Sequence, residues 1–123
     1  MGDELAVRID RLESRYEIEA LVSNYCHGFD KRDFARFLSI WWEECVWKIG
    51  PPFGNFSGHD GIHKAIHQVL WPAWAQSQHV TSNLVLEFSD ADDAKGICDV
   101  DCMGLLTDSA EATFVGATYK DRY

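Results

Sequence analysis

The sequence of 123 residues predicts one α+β domain, with helices first along the chain and strands after them. Apolar residues in the first half recur at helical spacing, as Ile18, Leu21, Val22 and Tyr25 do. The second half instead alternates apolar with polar residues, which is typical of strands. With 46% hydrophobic and 13% aromatic residues, the chain can bury a core, which excludes an intrinsically disordered protein.

The helical half begins with residues 5–12, which follow helical spacing. Ser14 and Glu17 form a capping box, so we expect a new helix to start at that point. Gly28 is expected to end that helix, because glycine is common just past a helix C-terminus. Residues 30–33 then open a second, short helix.

A strand over residues 45–49 and a break at residues 50–52 separate these helices from a third one. The third helix is expected to start near Ser57, and Pro72 ends or kinks it because proline lacks the backbone N–H. The apolar residues of this segment predict its buried face, which consists of Ile62, Ile66, Val69 and Leu70.

Three further strands are predicted over residues 80–88, 97–106 and 113–119. The last of them is apolar on both faces, and such a strand needs cover on both sides. Helices can cover one face of the sheet, and a partner subunit is the natural cover for the other. We therefore predict a homo-oligomer.

Charge and composition narrow the classes of partner and compartment. The net charge of −9 argues against nucleic acid and anionic membranes as partners. No run of about 20 apolar residues occurs, and the acidic start lacks the basic and apolar regions of a signal peptide, so we expect a cytoplasmic protein. In that compartment free thiols are expected for Cys26, Cys45, Cys98 and Cys102.

Two other patterns admit both a structural and a functional interpretation. His59, His63 and His67 are spaced four apart, as zinc ligands on a helix can be, but no third carboxylate is placed beside them. Half-exposed helical histidines are the simpler interpretation, so no metal is predicted. The five tryptophans all fall within residues 41–74, where they are expected to fill the core or to line a pocket for an apolar small molecule.

Asp30 and His79 are candidates for acid–base chemistry only if the fold brings them together. Asp30 stands where a helix N-cap belongs, and His79 stands just before a predicted strand, so each also has a structural explanation. A carboxylate bonded to one ring nitrogen would fix the tautomer and stabilise the imidazolium. The other nitrogen would then be a general base.

Several blocks of the chain resemble the nuclear transport factor 2-like superfamily, in its SnoaL-like branch, over essentially the whole length. The blocks lie at residues 30–32, 39–42, 69–72, 83–84, 86–88, 96–97 and 99–100 and at Cys102. The capped helix that ends in Tyr25 and Asp30 and the closing stretch over residues 115–123 extend the likeness. Within the branch the blocks are similar to hexachlorocyclohexane dehydrochlorinase and, more distantly, to scytalone dehydratase and bile-acid dehydratase.

The resemblance implies a cone-shaped α+β fold, also called a cystatin-like α+β roll. In this fold helices pack on a curved mixed β-sheet, and together they enclose a pocket. The resemblance implies elimination chemistry without a cofactor and a homo-oligomer, with a trimer favoured and a dimer possible. It also implies one further strand and a tail after Tyr123, so residues 1–123 are expected to be a single SnoaL-like domain that lacks them.

The resemblance also assigns roles to individual residues. The catalytic pair of the family falls on Asp30 and His79, with His79 removing a proton beside the leaving group and Asp30 orienting its ring. Side chains at the pocket wall, where the substrate binds, fall on Tyr25, Trp47, Val100 and Cys102. The dehydrochlorinase carries a lysine where this chain has Tyr25, whereas the bile-acid dehydratase has a tyrosine that can protonate a leaving oxygen. That dehydratase uses a carboxylate at the position of Cys102.

The predicted function is therefore a cofactor-independent lyase that catalyses β-elimination, by dehydrochlorination or dehydration, on a hydrophobic cyclic small molecule. A non-catalytic binding module that uses the same pocket is the first alternative, since this fold hosts many functions. An isomerase or cyclase of the same superfamily is the second.

Overall fold

The computed structural model describes residues 2–109 and 111–123 as helices followed by strands, which confirms the α+β class. In chain order the elements are α1 (Gly2–Asp30), α2 (Phe34–Ser39), β1 (Val46–Gly50), β2 (Gly54–Ser57), α3 (Gly58–Lys64), a π-helical segment (Ala65–Leu70), α4 (Trp71–Ala73), β3 (Trp74–Phe88), β4 (Ala94–Leu106) and β5 (Ala112–Arg122). The predicted turn after β4 includes Ala110, which lies outside the described residues.

The strands form a three-stranded sheet in the order β3-β4-β5 and a separate two-stranded hairpin of β1 with β2. Each of these pairings is antiparallel, where a mixed sheet was expected, because short connections join consecutive strands. The register of β3 shifts between Ser82 and Val85, and Asn83 has a left-handed φ of 57°. Such a bulge bends the strand, which gives the sheet its curvature.

The core lies among the helices, with side chains of β1 and of the start of β3 packed against it. Its buried members are aromatic and aliphatic side chains from α1, α2, α3, the π-helical segment and α4, namely Phe29, Phe37, Ile62, Ile66, Leu70 and Trp71. Four of the five tryptophans belong to this core or pack against it, whereas Trp42 is 64% exposed. The tryptophans therefore mainly fill the core.

Helix α1 is one uninterrupted helix, so the new start predicted at Ser14 and Glu17 is wrong. No proline or glycine interrupts residues 3–27, and the helix therefore continues past the capping-box pattern. It also continues past Gly28 to Asp30. Among residues 2–109 and 111–123, no helix combines the length and the apolar character that crossing a bilayer requires.

Gly28 has a packing role in place of the predicted stop. A Cβ atom at this position would lie 2.7 Å from the backbone nitrogen of Phe37 and 2.9 Å from its Cα. The absence of a side chain lets α1 and α2 approach this closely, and Phe37 is completely buried beside it. The glycine therefore fixes the direction in which the chain turns after α1.

The third helix forms as predicted between Ser57 and Pro72, but its middle widens into a π-helical segment. Ile62 and Ile66 are fully buried, and Pro72 lies in the last turn before β3. Strand β3 begins at Trp74, six residues before the predicted start. The first part of β3, which includes Ser77, is mostly polar. It therefore lacks the apolar alternation on which the predicted start was based.

Candidate active site

Asp30 and His79 meet where the C-terminus of α1 approaches β3. The Nδ1 atom of His79 lies 2.6 Å from Oδ1 of Asp30, and the backbone N–H of His79 donates to Oδ2 at 2.6 Å. The hydroxyl of Ser77 donates to Oδ1 at 2.8 Å. The side chains of His79 and Asp30 are only 6% and 13% exposed. The carboxylate therefore accepts three hydrogen bonds in a site largely closed to water.

The N-cap predicted at Asp30 is formed three residues later, by Asp33. The Asp33 carboxylate accepts a hydrogen bond from the backbone N–H of Arg36 at 3.1 Å, as an N-cap does. Between the helices Arg32 takes a left-handed φ of 54°, and its guanidinium donates to the carbonyl of Trp71 at 3.3 Å. This turn leaves the Asp30 carboxylate directed at β3.

Hydrogen bonding sets the charge state of the pair. Burial by itself would raise the pKa of Asp30. The hydrogen bonds from the side chain and backbone of His79 and from Ser77 have the larger combined effect, and they hold the pKa below its ordinary value of 3.8. Burial lowers the pKa of His79, but the bond to Asp30 and the contact with Cys102 outweigh it and raise the pKa to about 9. At neutral pH the pair is therefore a carboxylate with an imidazolium.

Aromatic rings hold the imidazole of His79 in place. The ring of Phe29 lies 4.9 Å from it, edge to face, and the ring of Tyr25 lies 5.8 Å away at an interplanar angle of 90°. The sulfur of Cys102 lies 3.9 Å from Nδ1. The Nε2 atom has no hydrogen-bond partner in the described parts of the chain and is not among their fully buried unpaired atoms. It is therefore the ring nitrogen left for a ligand.

The predicted pocket residues form two groups. Tyr25 and Cys102 contact His79 directly, as given above. Trp47 packs edge to face on Tyr25, with the ring centroids 6.1 Å apart, and so forms the second layer of the wall. Val100 is 3% exposed and lies on the same face of β4 as Cys102, opposite Thr81 of β3. The fold thus brings Tyr25 and Cys102 against the dyad, with Trp47 packed on Tyr25 and Val100 next to Cys102 on the same face of β4.

Sequence reasoning missed two polar members of the site, Ser77 and Tyr119. Ser77 lies two residues before His79 on one face of β3, so knowing that the strand starts at Trp74 would have found it. Tyr119, on β5, has its hydroxyl 3.2 Å from the hydroxyl of Tyr25. No signal in the sequence joins these two tyrosines, which are 94 residues apart.

A groove of about 430 Å³ runs between α1 and β3, and the dyad forms part of its wall. The residues that line it come from α1, from the turn that follows it and from β3: Ser23, Cys26, His27, Asp30, Lys31, Ser77, Gln78, His79 and Thr81. Most of the lining residues are polar, and the four predicted pocket residues, Tyr25, Trp47, Val100 and Cys102, are not among them.

The histidines of the third helix lie apart from this site. The rings of His63 and His67 are 4.3 Å apart and both pack on Phe34. His59 instead points its Nε2 at the carbonyl of Trp41, 2.8 Å away. In the described ranges no three His, Cys, Asp or Glu residues converge as metal ligands would. The four cysteines are free thiols, as expected.

Comparison with known proteins places this geometry in a family. Residues 10–123 match the family model described as a SnoaL-like domain. The chain is 38% identical over 115 residues to hexachlorocyclohexane dehydrochlorinase 1 of Sphingobium indicum, a match that covers 94% of this chain and 74% of the relative.

Solved structures agree with the sequence match. The crystal structure of LinA superposes with a TM-score of 0.90 at 36% identity, covering 94% of this chain and 78% of that one. The hexachlorocyclohexane dehydrochlorinase LinA-type3 of Novosphingobium barchaimii gives a TM-score of 0.88 at 37% identity, with coverage of 94% and 79%. The chain therefore belongs to the SnoaL-like domain family, has the nuclear transport factor 2-like fold, and is an enzyme of the lyase type.

Proposed function

We propose that this protein catalyses β-elimination on a hydrophobic cyclic small molecule, without a cofactor, with Asp30 and His79 as its general-base dyad. The observation that carries the proposal is the 2.6 Å contact between Asp30 Oδ1 and His79 Nδ1, which leaves Nε2 without a partner among residues 2–109 and 111–123. A histidine held in this way has one nitrogen fixed and one available, as general-base catalysis requires. The relatives named as dehydrochlorinases support the reaction class.

The proposed reaction begins when Nε2 of neutral His79 removes a proton from a substrate carbon. The electrons of that C–H bond form a carbon–carbon double bond, and chloride or hydroxide leaves the neighbouring carbon with its bonding electrons. Asp30 accepts the Nδ1–H bond throughout, so it fixes the reactive tautomer and stabilises the imidazolium that forms. Release of the proton to water restores the base.

The wall around the dyad supports an apolar ring as the substrate. Tyr25 packs its ring against His79 and is backed by Trp47, and Val100 and Cys102 form a buried apolar stretch of β4 beside the dyad. Such side chains bind rings by burying apolar area and by edge-to-face contact. The relatives are named for hexachlorocyclohexane, which is itself a six-membered ring.

Turnover assays on two variants test the dyad. Wild-type protein, Asp30→Asn and His79→Ala are incubated with chlorinated cyclohexanes and with hydroxylated cyclic compounds, while halide release and loss of water are followed. We expect turnover by the wild type to fall at least about 100-fold in each variant, with folding retained in circular dichroism. His63→Ala, at an exposed histidine, is the matched control and keeps its activity. Near wild-type turnover in a folded His79→Ala variant would contradict the proposal.

We further propose that copies of this chain associate through the convex face of the sheet, as a trimer in preference to a dimer. That face carries exposed apolar side chains, namely Val80, Val85, Ile97, Met103 and Phe114, which are 41% to 65% exposed. Apolar surface of this kind on adjoining strands is typical of a protein–protein interface.

A further inference from the structure

A pair of exposed histidines lies side by side on the third helix. His63 is in the last turn of α3 and His67 is in the π-helical segment, so the two are four residues apart. Their ring centroids are 4.3 Å apart, at an interplanar angle of 43°. Two histidines at this spacing on one helix face are a recurrent arrangement of metal ligands. The fold therefore keeps together the two rings that the spacing relates.

Aromatic side chains hold both imidazoles in place. The ring of Phe34 lies edge to face against His63 at 5.3 Å and against His67 at 4.5 Å. The indole of Trp71 packs on His67 at 5.1 Å, with an interplanar angle of 89°. Because these contacts restrict the rotation of the rings, a ligand that needs both rings loses little conformational entropy on binding.

The backbone beneath the pair is anchored in the core. Ile62, Ala65 and Ile66 are 0% exposed, and they stand next to the two histidines along the chain. The helix also changes from α to π between the histidines, because α3 ends at residue 64 and the π-helical segment starts at residue 65. Turns of π-helix are rare and occur frequently at functional sites. The pair thus stands on a rigid base at an unusual point of the helix.

The ring nitrogens of this pair are free in the part of the chain that the structure describes. Neither His63 nor His67 takes part in a hydrogen bond or ion pair within residues 2–109 and 111–123. The other three histidines of the sequence each have a hydrogen-bond partner, namely His27, His59 and His79. A neutral imidazole has one unprotonated nitrogen, which is the atom that a metal ion binds. The pair therefore offers two such atoms.

Charge and ligand type narrow the class of ligand. The net charge of −9 attracts cations, and Asp60 adds a carboxylate one turn before His63 on α3. Imidazole nitrogen suits transition metals such as Zn²⁺, Cu²⁺ and Ni²⁺. Mg²⁺ and Ca²⁺ instead prefer oxygen ligands. The ligand that fits this pair is a divalent transition-metal ion.

We propose that His63 and His67 together bind one divalent transition-metal ion, with water in its remaining coordination positions. The spacing alone does not predict a metal, and the held rings with their free nitrogens supply what the spacing lacks. The ion would bridge α3 and the π-helical segment. This inference is independent of the proposed elimination, which uses neither histidine.

Calorimetric titration with NiCl2 tests the pair. Untagged, metal-free wild type, His63→Ala and His67→Ala are compared. We expect one ion per chain in the wild type and an affinity at least about 10-fold lower in each variant, since each loses one of two ligands. His27→Ala, which removes an exposed histidine of α1, is the matched control and keeps the wild-type affinity. Unchanged affinity in both pair variants, or an equal loss in His27→Ala, would overturn the proposal.

NMR spectroscopy identifies the ligands directly. Ni²⁺ is paramagnetic, so it broadens the signals of nuclei close to it. At substoichiometric Ni²⁺ we expect the ring signals of His63 and His67 to broaden first and those of Phe34 next. The ring signals of His27 and His79 are expected to stay sharp. Uniform broadening of all histidine rings would show adventitious binding and contradict the site.

Melting curves test whether the ion binds the folded pair. A ligand that binds the folded chain more tightly than the unfolded chain raises the melting temperature. We expect excess NiCl2 to raise it in the wild type but not in the double variant His63→Ala/His67→Ala, which changes two exposed residues. MgCl2 at the same ionic strength controls for screening of the net charge and gives no such rise. A rise of the same size in the double variant, or with MgCl2, would refute the site.

Discussion

Three hydrogen bonds converge on the Asp30 carboxylate, and two of them come from His79 itself. Because the backbone N–H and the ring of His79 both bind the same carboxylate, the ring cannot turn without breaking a bond that the backbone geometry supports. Ser77 adds the third bond from one step along the same strand face. The orientation of the base is therefore set by α1 and β3 together.

The pH dependence follows from the raised pKa of His79. With a pKa of about 9, the neutral form needed for proton removal increases as the pH rises toward that value. We expect an NMR titration of the His79 ring to show its midpoint near 9, and kcat/KM to rise over the same range. Asp30→Asn removes the main cause of the shift, so the midpoint falls. A midpoint near 6.5 in the wild type would contradict this account.

The same pKa shifts predict how the pair affects stability. His79 binds its proton more tightly when folded, so its contribution is complete below its ordinary pKa of 6.5 and disappears as the pH rises through about 9. Asp30 has a lowered pKa, so its contribution is present above 3.8 and is lost as the pH falls. We expect the difference in unfolding free energy between the wild type and the double variant Asp30→Asn/His79→Asn to be largest between pH 3.8 and pH 6.5. Urea titrations across pH measure it, and a difference that is constant with pH would refute it.

Ser77 is expected to support the dyad without being essential to it. Ser77→Ala removes one of the three bonds to Asp30, so the pKa of Asp30 rises toward its ordinary value while the contact with His79 remains. We expect kcat to fall about threefold to tenfold, in line with the loss of about 1 kcal/mol for a typical hydrogen bond. Ser82→Ala, on the opposite face of β3, is the matched control. A loss as large as that of His79→Ala would assign Ser77 a larger role.

At the scale of elements, the close approach of α1 and α2 decides where Asp30 points. Gly28 permits that approach, because any Cβ there would lie within 3 Å of the Phe37 backbone. We expect Gly28→Ala to destabilise the protein by about 1–3 kcal/mol, the usual cost of overpacking a core. Gly116→Ala is the control, since its nearest neighbour would lie 3.8 Å away, in ordinary contact. Equal unfolding midpoints for the two variants would show that the helices adjust freely.

For the whole molecule, the exposed apolar face of the sheet predicts self-association. Light scattering after size-exclusion chromatography is expected to give the mass of a trimer. Phe114→Asp, near the start of the edge strand β5 and 65% exposed, is expected to shift the protein to monomer, because a buried unpaired charge disfavours the interface. Trp42→Ser, which changes an equally exposed apolar residue outside the sheet, keeps the wild-type mass. A wild type that elutes as a monomer would refute the interface.

The order of helices and strands could be predicted from the sequence, because short-range periodicity reflects burial along each element. The alternation over β4 correctly placed Val100 and Cys102 on a buried face, and the apolar stripe of the third helix correctly marked Ile62 and Ile66. Predictions of where elements start and end were less successful. The capping-box pattern at Ser14 failed because a local signal does not interrupt a helix when no glycine or proline stands beside it.

The α+β class and the apolar faces follow from the local pattern of the sequence, and the pair Asp30 and His79 was predicted from its resemblance to a family. Which polar groups meet depends on the three-dimensional arrangement of the elements. The bonds from Ser77 to Asp30 and from Tyr119 to Tyr25 join residues 47 and 94 positions apart. Contacts over such distances depend on how α1 lies across the sheet and on the register of β3, β4 and β5. Periodicity along the chain contains no information about either, since it records only which side of each element faces the core.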